Sequence, residues 1–131
     1  MDDSQNKYMT TIRATIPGVP YARNKTHGNL NAPIEWTHAV IQHTADLPKI
    51  RKACLLRITY LLPRAHIPKD YPFGTDLDNL NKRFLDGLSK TVFSEAPGKD
   101  SCVVAMESIK IIVETKEEAG AHFEILPIKT T

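Results

Sequence analysis

Three aspartates and one lysine carry the chemical interest of this chain. Asp76 and Asp78 flank Leu77 where a proline-rich stretch runs into an apolar-periodic segment. If the backbone there is still extended, the two side chains point the same way, because residues two apart share one face. Two carboxylates brought together repel unless a cation or a proton neutralises them. An all-oxygen donor set of this kind suits Mg²⁺, with Mn²⁺ as a substitute, rather than Zn²⁺. The plainer reading is helix capping, since aspartate favours the positive end of a helix and can accept its first N–H groups. Only one of the pair can occupy the cap. Lys82 and Asp86 follow Asp78 at i+4 and i+8, on one polar helix face. By default that is a solvated row of charges; the alternative sets the Lys82 ammonium beside a phosphate. Asp100 follows the Pro97-Gly98 turn and precedes an apolar run, so it can return to the start of the helix. Otherwise it is an ordinary turn aspartate.

The elements that must hold these residues are legible from periodicity. Residues 8–16 are β-prone and alternate, predicting a first strand that Pro17-Gly18-Val19-Pro20 stops. Residues 21–32 are polar and basic and read as a loop. Pro33 suits a first helical turn, predicting a helix over about 34–46 with Trp36 as anchor and Ile34, Val40, Ile41 and Leu47 at helical spacing. Residues 53–62 form a second strand, and 63–75, with three prolines and a glycine, form a loop. Leu77, Leu80, Phe84 and Leu88 make the clearest helical stripe in the chain, predicting a helix over 77–90. Gly87 lowers its propensity slightly. A turn over 94–100 leads to strands over 102–114 and 121–128, joined by a hairpin loop at 116–120. The order β-α-β-α-β-β predicts one α+β domain over residues 1–131, with a small mixed sheet and two helices on one face.

Bulk properties narrow the function. With 131 residues, 41% hydrophobic and 24% charged, the chain has the make-up of one globular domain. The net charge of +2 is unevenly spread. Residues 20–70 hold eight Lys and Arg against three acids, and residues 71–131 hold seven against ten. A basic half beside an acidic half fits a protein that attracts phosphates and also holds a cation. Cys54 and Cys102 form no C-x-x-C and predict buried thiols, not a zinc ribbon or a disulfide framework. The five histidines show no metal-ligand spacing, and His27 is a candidate DNA contact. The N-terminus is unlike a secretory leader, and no apolar run is long enough to span a bilayer. The expectation is a cytoplasmic protein with no membrane partner and no small-molecule cofactor.

The motif DLDNLNKRFLDGL (76–88), followed by KDSCVV (99–104), resembles the signature of the RusA family of Holliday-junction resolvases. TIPGVPYARNK (15–25) resembles that family's first strand, proline-rich turn and basic loop. The resemblance implies that Asp76, Asp78 and Asp100 hold Mg²⁺, and that Lys82 is a catalytic lysine. Glu95 is the fallback for the third acid, and Asn79 and Asp86 also match the pattern. Arg23, Lys25 and Lys69 are expected to contact DNA. The resemblance further implies a two-fold homodimer, which agrees with the two symmetric cuts that a four-way junction requires.

The chemistry suits the residue types. A phosphodiester is anionic and repels hydroxide; a carboxylate-held Mg²⁺ neutralises the phosphate, lowers the pKa of a bound water and stabilises the leaving 3′-oxygen. A lysine adds positive charge where negative charge builds up in the transition state. The sequence thus points to an Mg²⁺-dependent endodeoxyribonuclease that resolves four-way branched DNA in recombination and repair. Two rivals stand beside it: a module that binds branched DNA without cutting, and a metal-dependent nuclease acting on flaps or single strands.

Overall fold

The computed structural model of the chain describes residues 11–21, 32–64 and 76–129. Strand β1 (Ile12–Pro17) turns Ile12 and Ile16 inward and Arg13 and Thr15 outward. Pro17 ends it, and Gly18 follows at a φ of +120°, a conformation that favours glycine. Residues 8–10 of the expected strand lie outside the described residues.

Helix α1 (Ala32–Thr44) buries Pro33, Trp36, Val40 and Thr44 along one face. Ile34, expected on that face, is instead 55% exposed. It stands two residues before Trp36, which on a helix is about 160° round the axis, so the face that seats the indole turns Ile34 outward. The buried Thr44 hydroxyl bonds the Val40 carbonyl at 2.7 Å and meets the Thr91 hydroxyl at 2.6 Å, which ties the end of α1 to the turns after the next helix.

Strand β2 (Cys54–Pro63) is the most apolar strand and sits inside the sheet. Helix α2 (Leu77–Leu88) buries Leu80, Phe84, Gly87 and Leu88, and Leu77 is half-buried. Phe84 meets Tyr60 and Phe123 edge-on, with ring centroids 6.1 and 5.3 Å apart. Gly87 is needed for space: a Cβ there would stand 2.6 Å from Val40 Cγ1, so its absence is what lets the two helices close on each other.

Strands β3 (Val103–Val113) and β4 (Gly120–Pro127) complete a four-stranded mixed sheet in the order β1-β4-β2-β3. The expected α+β class, with two helices and a small mixed sheet, is therefore present. The simple six-element order is not, because 3₁₀ turns at Lys99–Cys102 and Lys116–Glu118 interrupt it. The expected β3–β4 hairpin does not form either. β3 runs parallel to β2 on one side, and β4 runs antiparallel to β2 on the other. The reason lies in β2, which needs hydrogen-bonding neighbours on both flanks. The crossover through α2 delivers β3 to one flank, and β4 fills the other, closing on β1 as well. Inward residues of all four strands and both helices share one core cluster or pack against it. Among the described residues no helix packs on the opposite face of the sheet.

Candidate active site at the start of the second helix

Asp76 is the N-cap of α2. Its backbone is extended (φ −84°, ψ 130°), and its side chain accepts the Asp78 N–H at 2.9 Å. Its carbonyl accepts the Leu80 N–H at 3.0 Å. The chain turns helical at Leu77, so the extended Asp-Leu-Asp segment considered above ends after Asp76. Asp78 lies in the first helical turn, and the cap holds the Asp76 carboxylate against the Asp78 backbone. Both side chains are exposed at the positive end of the helix, where negative charge is favoured.

Lys82 stands one turn further on, exposed, with Asp86 exposed beyond it. The ion pairs among the described residues join Arg13, Arg51, Arg57 and Arg64 to glutamates, and Lys82 makes none with Asp78 or Asp86. The paired charge row that periodicity allows is thus not formed, and the ammonium is left at the surface one turn from the acids.

Asn81 fixes the rotation of this helix. Its Oδ1 accepts the Tyr60 hydroxyl at 2.9 Å, and its Nδ2 donates to Ser108 Oγ at 2.9 Å. One amide therefore ties α2 to both β2 and β3. Burial pushes the Tyr60 hydroxyl far above the usual tyrosine range, so it stays protonated and keeps donating. The sequence reasoning passed over Asn81. Its signal was a polar residue directly after Leu80, on the margin of the buried stripe.

Asp100 sits half-buried in the 3₁₀ turn that packs against α2 and leads into β3. Gly98 and Lys99 precede it at φ +75° and +54°. Two successive left-handed residues turn the chain sharply, and Lys99 is held there by its ammonium on the Ser94 carbonyl at 2.7 Å. Glu95, the fallback acid, is engaged elsewhere: it pairs with Arg51, which holds its carboxyl below the usual range.

The cysteines, distant in sequence, are neighbours in space. The Cys54 thiol points at the Cys102 carbonyl at 3.8 Å, and burial beside Cys102 pushes its pKa up to about 12. That makes Cys54 a poor nucleophile. Arg23, Lys25, Lys69 and His27 lie outside the described residues.

Whether a divalent cation fits can be judged from the donors. The carboxylates supply only oxygen, as Mg²⁺ prefers, and Asp78 is exposed and unpaired among the ion pairs above. Among the described residues no three His, Cys, Asp or Glu side chains converge to hold an ion. The geometry therefore offers a pair of acids rather than a closed cage. Mg²⁺ is commonly held by one or two carboxylates, with waters and substrate phosphates completing its shell.

No protein-family model matches this chain, and no curated protein matches it. Among the described residues no helix is long and apolar enough to cross a membrane.

Proposed function

We propose that the protein is a metal-dependent endodeoxyribonuclease that cuts branched DNA, with four-way junctions as its substrate and two copies acting together. The observation that carries this reading is the start of α2. Two acids and an uncommitted lysine stand exposed within two helical turns, on a helix whose rotation is fixed from below by Asn81. The motif resemblance to the RusA resolvases supports the same reading. Mg²⁺ bound there would neutralise the scissile phosphate and acidify a water. Asp76 and Asp78 supply the negative charge that holds the cation. Lys82 presents its ammonium to a phosphate oxygen, and the cap at Asp76 keeps this first turn in place. Asp100, in the turn that packs against α2, is assigned the role of third acid on the motif resemblance alone, since the described side chains do not converge into a closed site, and Arg23, Lys25 and Lys69 are assigned to the DNA backbone.

Lys82 gives the deciding experiment. If Lys82 is only a surface residue, Lys82→Ala changes stability by well under about 1 kcal/mol and leaves activity alone. If its ammonium stabilises charge that develops in the transition state, removal costs roughly 2.7–4 kcal/mol, about a hundred- to a thousandfold in rate. Lys82→Ala is expected to bind a labelled mobile four-way junction, to melt within a few degrees of the wild type and to lose most Mg²⁺-dependent cleavage in single turnover. Lys82→Arg should restore only part, because a planar guanidinium differs in shape and reach from an ammonium. Wild-type rates in Lys82→Ala would overturn the assignment.

A further inference from the structure

We propose that Cys54 and Cys102 are an oxidant-sensitive pair, a modification site that closes into an intramolecular disulfide when the protein meets a small disulfide of the glutathione class. The inference stands apart from the nuclease reading, because it concerns the base of the β2–α2–β3 crossover and needs neither metal nor DNA.

The chain has two cysteines, 48 residues apart in sequence, and the fold sets them side by side. Cys54 opens β2, and its Cα is paired with that of Val103, the residue after Cys102. Parallel strands lie about 4.8 Å apart and rise about 3.3 Å per residue, so an offset of one position puts the two cysteine Cα atoms about 5.8 Å apart. Disulfides span Cα separations of about 4.4–6.8 Å, so the backbone already stands at bonding range. Both side chains lie on the core side of the sheet: Cys54 belongs to the core cluster, and Cys102 packs against it. The Cys54 thiol reaches the Cys102 carbonyl at 3.8 Å, and the two thiols share a hydrogen bond. Cys102 ends the 3₁₀ turn and stands outside the β2–β3 ladder, which begins at Val103. The turn, and not the sheet, therefore absorbs the small approach that bonding requires.

The two thiols differ in access. Cys54 is fully buried, whereas Cys102 is half-buried. Cys102 is therefore the sulfur that an oxidant meets, and Cys54 is the one that resolves. In the first exchange the Cys102 sulfur gives its proton to water and attacks one sulfur of the glutathione disulfide. A bond from Cys102 to glutathione forms, and the other glutathione leaves with the electron pair and takes up a proton. In the second exchange the Cys54 sulfur gives up its proton and attacks the Cys102 sulfur, and the second glutathione leaves in the same way. Two protein thiols are thus oxidised to one disulfide, and one glutathione disulfide is reduced to two thiols. The raised pKa of Cys54 makes the second exchange slow, but its sulfur is held beside its target and acts at intramolecular concentration. The link joins the start of β2 to the turn that bears Asp100 and encloses α2 in one covalent loop.

The test uses the full chain, reduced, freed of reductant and incubated for hours with glutathione disulfide in the presence of EDTA and the absence of air. Acid quenching, alkylation in denaturant and intact mass should show a single chain lighter by two hydrogens, with no alkyl group and no glutathione attached. Cys54→Ala should stop at one glutathione on Cys102, and Cys102→Ser should leave the buried Cys54 unmodified. A wild type that stops at the mixed disulfide, that stays reduced under a large excess of oxidant, or that links chain to chain would overturn the proposal. Repeating the exchange in denaturant separates the fold's contribution from chance encounter along the chain. At one ratio of glutathione disulfide to glutathione, the folded protein should favour the Cys54–Cys102 link over its unfolded form by at least about tenfold. Equal extents of closure in the two states would overturn it as well.

Discussion

At the residue scale, Asp76 has two jobs that substitution can separate. As a cap it accepts a backbone N–H, and asparagine does this about as well as aspartate, whereas alanine costs about 1 kcal/mol. As a metal holder it must carry charge. Asp76→Asn is therefore expected to keep the melting temperature, lose cleavage and bind a junction as tightly as the wild type or more so, because a charge repelling phosphate is gone. Asp78→Asn should lose cleavage likewise. Full activity in either would remove the acids from the mechanism. Asn81 makes a different prediction. Asn81→Leu leaves the Tyr60 hydroxyl buried without its acceptor, which costs about 1–3 kcal/mol. A double variant with Tyr60→Phe should recover part of that loss in a denaturant titration, and no recovery would mean that the tie contributes nothing.

At the element scale, Gly87 sets two effects against each other. In an exposed helix interior, Gly→Ala stabilises by roughly 0.8–1.0 kcal/mol. Here the added methyl must displace Val40, and overpacking of this kind typically costs about 1–3 kcal/mol. Gly87→Ala should therefore lower the melting temperature, with Val40→Ala in the same chain easing the clash. A stabilised single variant would show that the helices separate freely. Both helices were legible in the sequence, because an apolar stripe reports which residues face a core. The inner face of α1 was less so: Ile34 is apolar, but Trp36 decides which side is buried. The partners of β3 and β4 were not legible at all. Period-two alternation fixes the faces of a strand and says nothing of its neighbours, so two successive strands read as a hairpin although β2 lies between them. At the site, the cap before Leu77 was visible. The residue at which extended backbone gives way to helix was not, and that boundary decides how Asp76 and Asp78 stand to each other.

At the scale of the whole molecule, charge is the readable quantity. The basic residues of 20–70 predict that junction affinity falls steeply with salt, since each phosphate contact releases bound counterions. Neutralising Arg23 and Lys25 together should flatten a log–log plot of affinity against salt concentration, and an unchanged slope would exclude them from the DNA surface. Of the basic residues of 20–70, Arg57 should contribute little to that slope, because it already pairs with Glu107 and Glu124. Glu124 is held below the usual carboxylate range by Arg13 and Arg57. Its ion pairs therefore support the fold above the ordinary glutamate range and fade as pH falls through the lowered value.

The position of β4 also bears on how the chain acquires its structure. The strand that joins β1 to β2 comes last of the four, so Ile12 cannot find Ile125 until more than a hundred intervening residues have been made. On a ribosome, the nascent chain would carry β1 unpaired and β2 open along one side until residues 120–127 emerged. Contacts this distant in sequence slow folding, because the loop must close before the pairing rewards it. A chain released before Gly120 should therefore stay unfolded and be drawn toward chaperones or aggregation, however well its helices are formed.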